Sequence, residues 1–256
     1  KIGAAISSDL KTIDEKHLVT PFNAKAMGLF PERINGKLTA TLTVNTDMPP
    51  AKIAVAVFDK DEDIWSKDYW LEWYSSHDSH VVPLLRSFKD QIEVGAPPIR
   101  TDQGWLLIYS YIKNYYSSQR IFGIEAALLD LNDPTKIIAR TQDPILFPNR
   151  DYELYGMVPN VVFPSGALVK DDKLYVYYGA ADTTCCVATC SLLELLEEIN
   201  PKTHVHAVKD EESKKFTRFE DNPIISPIPE HAWESRSTFN PAAIYLGNKF
   251  NILYRA

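Results

Sequence analysis

The sequence lacks three features that would place it among membrane, zinc-binding or nucleic-acid-binding proteins. It has no run of 18 apolar residues, so we expect no transmembrane helix and no membrane partner. Its three cysteines, Cys185, Cys186 and Cys190, include no C-x-x-C pair, so we expect no metal site but reduced thiols in a cytoplasmic protein. Its 27 lysines and arginines against 34 acidic residues give a net charge of −7, which disfavours a nucleic-acid partner.

The N-terminus lacks both an initiator methionine and a signal-peptide pattern. We therefore expect a fragment, or a chain whose first residues are missing. What the sequence does contain is typical of a folded β protein. Hydrophobic content is 45% and aromatic content 11%, with 13 tyrosines and five tryptophans, which suit sheets and sugar-binding surfaces. The 256 residues are enough to bury one large core.

One stretch, residues 160–182, has the pattern of a β-hairpin that ends at a site. Pro164 fixes the entry into a first strand, and a polar turn follows at 170–173. The returning strand is β-branched and aromatic, as suits a pleated, half-buried surface. Three small residues then allow close backbone approach before Asp182 ends the run. We predict a hairpin that carries a carboxylate to the edge of a site.

The same hairpin pattern recurs along the chain. In each copy a proline precedes a short strand, a polar turn follows, and an apolar or aromatic strand returns. The prolines are Pro31, Pro98, Pro164 and Pro241, with spacings of 67, 66 and 77 residues.

A second series, an apolar pair that ends at a proline, is in phase with the first. It ends at Pro21, Pro83, Pro148 and Pro227, with spacings of 62, 65 and 79 residues. The longest spacing in both series contains an insertion. Residues 192–199 have helical spacing and predict a short helix near 191–200, and residues 210–215 after it predict a charged loop.

A repeat of about 65 residues built of short strands indicates an all-β propeller. Residues 51–58, 120–131 and 185–190 supply further strands. A β-sandwich with irregular strands is the alternative. At this repeat length the chain makes only about four blades and stops in mid-blade, which leaves an unpaired strand edge.

Several motifs together resemble glycoside hydrolase family 130, the β-mannoside phosphorylases and β-mannosidases. The resemblance covers nearly the whole chain. The matching motifs are Leu29-Phe-Pro-Glu-Arg-Ile-Asn-Gly36, Gly95-Ala-Pro-Pro-Ile-Arg100, Gly104-Trp-Leu-Leu-Ile-Tyr109, Ala126-Ala-Leu-Leu-Asp-Leu131, Phe163-Pro-Ser-Gly-Ala167 and Leu174-Tyr-Val-Tyr-Tyr-Gly-Ala-Ala-Asp182.

The resemblance implies a five-bladed propeller and a carbohydrate-active enzyme, a glycosidase or a glycosyltransferase-type phosphorylase, that cleaves β-linked mannosides by hydrolysis or phosphorolysis. It implies an oligosaccharide containing β-mannose as partner, no cofactor except inorganic phosphate as a co-substrate, and a homo-oligomer. The order of motifs is unusual: in the single domain 1–256, residues 1–199 resemble blades two to five and residues 219–256 resemble the start of blade one. We expect an incomplete or permuted unit.

The resemblance also implies site residues. Asp182 matches a residue that holds a sugar hydroxyl, and Phe163 an aromatic that packs near the sugar; Lys25 and Arg100 match cations of the phosphate site. The alternatives are a turn-capping aspartate, a core aromatic and two ordinary solvated cations.

Two departures from the family weaken the phosphate site and the catalytic assignment. Thr43 and Ser110 replace two further cationic contributors, an arginine and a histidine. The Glu-Asp-Pro-Arg motif that carries the family's proton donor is absent, so we assign no catalytic acid. A non-catalytic carbohydrate-binding or scaffolding propeller is therefore the alternative function.

Overall fold

The structure is a computed structural model that describes residues 1–200 and 216–256. The charged loop expected at 210–215 lies outside the described residues. The chain is all-β with a few short helices, and its named strands pair antiparallel throughout these two ranges. No helix among the described residues is long and apolar enough to cross a bilayer.

The strands of the described residues form five sheets that follow one another along the chain. The first contains β1 (Gly3–Ile6) and β2 (Glu15–Leu18), and the second β3 (Lys25–Leu29), β4 (Leu38–Val44) and β5 (Lys52–Phe58). The third contains β6 (Gln91–Val94), β7 (Ile99–Thr101), β8 (Gly104–Lys113), β9 (Ile121–Leu129) and β10 (Ile137–Arg140). The fourth contains β11 (Val162–Lys170), β12 (Lys173–Ala180), β13 (Thr184–Ser191) and β14 (Thr217–Arg218), and the fifth β15 (Phe239–Leu246) and β16 (Lys249–Arg255).

All four hairpins predicted from the first proline series are present, each closed by a two-residue turn. The turns are closed by the pairs Ile34–Lys37, Thr101–Gly104, Lys170–Lys173 and Leu246–Lys249. In three of them both turn residues have positive φ, and they are Asn35 with Gly36, Asp171 with Asp172, and Gly247 with Asn248. Asn, Asp and Gly adopt this conformation at least cost, so the local sequence sets the register of each hairpin.

The second proline series also has a structural meaning. Its apolar residues bridge to the third strand of the preceding unit, on the side away from the hairpin. The bridges join Val81 to Ala54, Leu146 to Ile124 and Ile225 to Cys185. Both series therefore mark one repeating unit, a hairpin followed by a third strand and a short edge segment.

The helices are α1 (Lys67–Ser75), α2 (Asp151–Leu154) and α3 (Leu192–Ile199), with 3-10 helices at Asp61–Trp65 and His77–His80. The helix expected near 191–200 is confirmed as α3. The sequence did not lead us to predict α1, which begins after Ser66, whose hydroxyl accepts a hydrogen bond from the Tyr69 amide.

The core lies between successive sheets. One cluster packs β5 against β6 and β8 through residues such as Ile53 and Trp105. A second packs the opposite face of β8 against β12 through Leu106 and Val176. The third sheet thus buries one face against the second sheet and the other against the fourth.

Candidate functional site

Counting from the hairpin turns identifies equivalent positions at the opposite ends of the four hairpins. Six residues after the residue that closes each turn, the second strand reaches Thr43, Ser110, Gly179 or Arg255. The cross-strand partners of these residues are Lys25, Glu93, Phe163 and Phe239. We call these eight positions the rim.

Successive hairpins contact one another closely through glycines next to the rim. A Cβ added to Gly28 would lie 3.0 Å from the Cα of Pro97. A Cβ added to Gly95 would lie 2.6 Å from both the Ile108 carbonyl and the Pro164 ring. Because neither glycine leaves space for a side chain, the first strands of three consecutive hairpins lie side by side, which brings their rim residues together.

An ion pair joins the rims of the second and third sheets. Nζ of Lys25 lies 2.7 Å from Oε1 of Glu93, whose side chain is only 5% exposed while that of Lys25 is 50% exposed. The side-chain amide of Gln91 donates to the same oxygen at 2.7 Å. Glu93 is therefore held as a buried, hydrogen-bonded carboxylate, with the lysine ammonium reaching towards solvent.

Asp182 lies just beyond the rim position Gly179, in the turn between β12 and β13. Ala181 and Asp182 both have positive φ, and the amide of Thr183 closes the turn on the Ala180 carbonyl at 2.9 Å. The carboxylate is half-buried and accepts no hydrogen bond from the described residues. It is thus free to accept hydrogen bonds from a ligand.

The electrostatics connect Asp182 to the rim. Burial raises the pKa of its carboxyl group, Arg255 lowers that pKa, Glu93 raises it, and Lys25 lowers it. Three charged groups, each from a different sheet, therefore act on the Asp182 carboxyl group: two cations and one carboxylate.

The predicted site residues divide between the two ends of the hairpins. Lys25 and Phe163 are rim residues, Phe163 is half-buried, and Asp182 adjoins them. Arg100 pairs with Trp105 one residue from a turn, at the other end of its hairpin. There it donates to Glu32 at 2.9 Å, and both side chains are at least half exposed. The structure brings the first three residues together and leaves Arg100 away from them; the roles given to all four remain predictions.

The two positions that depart from the family pattern, Thr43 and Ser110, both lie on the rim. The hydroxyl of Thr43 accepts a hydrogen bond from the Val94 amide at 2.9 Å. The hydroxyl of Ser110, opposite Glu93, is fully buried and has no hydrogen-bond partner in the described part of the chain. Neither residue supplies a positive charge.

Sequence reasoning missed Glu93 and Arg255. Arg255 ends β16, and its guanidinium carbon lies 4.7 Å from the centre of the Phe239 ring. The sequence contains the information that identifies them. Counting residues from each predicted turn aligns Glu93 and Arg255 with the other rim positions, Lys25 and Phe163 among them. Within residues 1–200 and 216–256, no group of three or more His, Cys, Asp or Glu side chains is arranged to hold a metal ion.

The chain is similar to known mannoside phosphorylases. A family model described as β-1,4-mannooligosaccharide phosphorylase, the model of glycoside hydrolase family 130, matches residues 4–200. A 1,2-β-oligomannan phosphorylase of Thermoanaerobacter sp. is 36% identical over 198 residues, which are 76% of this chain and 60% of the relative. A β-1,4-mannooligosaccharide phosphorylase of Ruminococcus albus is 29% identical, over 80% of this chain and 59% of the relative.

Two solved structures are also similar to the chain. A β-1,2-mannobiose phosphorylase from Listeria innocua, in complex with β-1,2-mannobiose, has a TM-score of 0.63 and 30% identity over 76% of this chain and 52% of that one. An α-L-arabinofuranosidase from Lactobacillus brevis, with 12% identity and a TM-score of 0.58, matches 90% of this chain and 64% of its own, and shares the fold alone. The chain thus spans about half the length of the curated relatives it matches.

Proposed function

Because the chain belongs to glycoside hydrolase family 130, we propose that it forms part of an enzyme that cleaves β-linked mannosides by hydrolysis or phosphorolysis of the glycosidic bond. The names of its relatives support the substrate class, since they are phosphorylases of β-1,2- and β-1,4-linked mannosides.

The observation that carries the proposal is the meeting of Lys25, Glu93, Asp182 and Arg255 at one end of four hairpins. A sugar presents hydroxyl groups that both donate and accept hydrogen bonds, and its ring has an apolar face. Asp182 offers acceptors, Lys25 offers donors, and Phe163 offers a half-buried aromatic surface. This combination suits a bound pyranose.

We propose that these hairpins belong to a five-bladed propeller with the rim around its axis. Five sheets in chain order, three of them with the same hairpin and third-strand arrangement, support this architecture. In this architecture β15 and β16 are the opening strands of blade one, and β1 to β13 belong to blades two to five.

Cleavage of a glycoside needs a group that protonates the leaving oxygen and an attacking group on the opposite face of the sugar ring. In phosphorolysis the attacker is inorganic phosphate, and in hydrolysis it is water. We assign neither role to a residue of this chain: Asp182 and Phe163 are proposed to bind the sugar, and Lys25 to contact the attacking side.

We also propose a cytoplasmic location. The three cysteines are free thiols, and Cys185 and Cys186 are buried in a position where neither forms a disulfide. Unpaired buried thiols are typical of proteins from a reducing compartment.

The direct test incubates the full-length protein with β-1,2-mannobiose and β-1,4-mannobiose, each with and without phosphate. We expect release of mannose or mannose 1-phosphate from at least one of them. Binding of a mannobiose without turnover would favour the non-catalytic carbohydrate-binding alternative, and absence of both binding and turnover would contradict the proposal.

A further inference from the structure

The lysine that the family resemblance assigns to phosphate already has a buried anionic partner. The ammonium of Lys25 is 2.7 Å from Glu93, and the Glu93 carboxylate is fixed in turn by the amide of Gln91. The other end of the Gln91 side chain accepts a hydrogen bond from the Ala51 amide at 3.4 Å. Because Gln91 is anchored in this way and the Glu93 side chain is only 5% exposed, the carboxylate is held beside Lys25.

Apart from Arg255, the remaining rim positions supply no positive charge. Thr43 and Ser110 are neutral, and both are fully buried. Lys25 and Arg255 supply the positive charges near Asp182, and Glu93 and Asp182 itself supply the negative ones. The formal charges of these four groups, two positive and two negative, sum to zero.

We propose that Glu93 is a specificity-determining residue that makes this site select a neutral sugar and reject inorganic phosphate. This inference rests on the proposed function and extends it, because it names the ligand that the site excludes. An incoming phosphate would be repelled by a carboxylate with little access to water, where screening is weak. A sugar carries no charge and meets no such repulsion.

The arrangement also explains how Lys25 can remain useful without binding an anion. Its side chain is half exposed, so the ammonium retains donors that Glu93 does not occupy. These donors are available to a ligand hydroxyl, which accepts a hydrogen bond without adding charge. Glu93 therefore acts through Lys25, because its negative charge offsets the positive charge of the lysine ammonium.

The test measures phosphate binding by calorimetry for the full-length wild-type protein and for Glu93→Gln. Glutamine keeps the shape of the side chain and can still accept from Gln91, but it removes the negative charge. We expect weak or absent phosphate binding to the wild type and an affinity at least about tenfold higher for Glu93→Gln. Adding Lys25→Met to Glu93→Gln is expected to abolish the gain.

A matched control is available on the same sheet. Lys37 and Asp59 form a lysine–carboxylate pair next to the turn, away from the rim, and both are exposed. Asp59→Asn removes one negative charge of the protein without changing the rim, and it is expected to leave phosphate affinity unchanged.

Two results would overturn the proposal: tight phosphate binding by the wild type, or phosphate affinity that falls or stays constant in Glu93→Gln. If Glu93→Gln does not fold, the wild type alone decides, because phosphate must then leave its mannobiose affinity and turnover unchanged. Mannobiose binding is titrated separately, so a protein that binds neither sugar nor phosphate refutes the proposed function and not the exclusion of phosphate.

Discussion

Nε of Arg218 lies 2.6 Å from Oε1 of Glu153, a carboxylate that is completely inaccessible to solvent. The Tyr178 hydroxyl donates to the same oxygen at 2.9 Å, and Arg218 also donates to the Phe147 carbonyl at 2.8 Å. One buried ion pair thus connects β14, α2 and β12. These elements surround the hairpin that leads to Asp182.

Replacing Arg218 by methionine leaves Glu153 buried without its cation. We expect the free energy of unfolding to fall by about 3–5 kcal/mol, because breaking a buried pair leaves an uncompensated charge. Urea unfolding of the two proteins measures the difference. Arg33→Met is the control, since Arg33 pairs with Asp61 on the surface. The urea midpoint of this variant should equal that of the wild type. Equal effects of both substitutions would show that the Arg218 pair is not buried.

The helix α1 is expected to depend on one tryptophan. Trp70 is fully buried, and its indole nitrogen donates to the Ile64 carbonyl at 2.9 Å. Trp70→Ala should lower the free energy of unfolding by about 3–5 kcal/mol, as deletion of a large core side chain does. The neighbouring Leu71 is 49% exposed, and Leu71→Ala should change the free energy of unfolding by less than about 0.5 kcal/mol. A larger effect at Leu71 than at Trp70 would contradict the orientation of the helix.

Local sequence was sufficient to predict the hairpins. Three of the four two-residue turns are set by residues, such as Asn35 and Gly36, that adopt a left-handed conformation more readily than others. The pairing partner is close in sequence, so the proline series located all four hairpins, and the helical spacing of residues 192–199 located α3. The helix α1 was missed although its signals were present, namely the cap Ser66 and two tryptophans three residues apart on one face.

The site was less predictable because it is assembled from distant parts of the chain. Lys25 and Glu93 are separated by 68 positions, and their contact depends on how the second sheet packs against the third. The resemblance supplied Lys25, Phe163 and Asp182 but not Glu93, which reads in the sequence as one polar residue of an alternating strand. Arg100 is the opposite case: the resemblance assigned it to the site, but it pairs with Trp105 near the turn, away from the rim.

The three thiols are expected to be unreactive in the folded protein. Burial raises the pKa of Cys185, Cys186 and Cys190 to about 12, so almost none of each is thiolate at neutral pH. A thiol reagent added to native protein should therefore react slowly, and in denaturant all three should react at once. Fast labelling of the native protein would contradict the placement of β13 in the core.

The raised pKa of Asp182 predicts a pH dependence for sugar binding. The carboxylate form accepts hydrogen bonds from sugar hydroxyls, and burial shifts protonation of this group to higher pH than in an ordinary aspartate. Mannobiose affinity should therefore decrease on acidification before the pH reaches about 3.9, the usual aspartate value. Constant affinity down to that pH would contradict a role for this carboxylate.

The same shift has a consequence for stability. The folded state holds the Asp182 proton more tightly than the unfolded state, so stability decreases as pH rises through the interval between the unfolded and the folded pKa. Asp182→Asn has no such titration. The difference in free energy of unfolding between the two proteins should therefore be smallest at low pH. As pH rises through this interval, the wild type should become less stable relative to Asp182→Asn.

Titration of full-length wild type and Asp182→Asn with β-1,2- and β-1,4-mannobiose, alongside thermal unfolding of both proteins, tests the rim as a mannoside site most directly. We predict saturable binding of at least one disaccharide by the wild type and its loss in a variant that remains folded. Unchanged affinity in a folded Asp182→Asn protein would contradict the site proposed here.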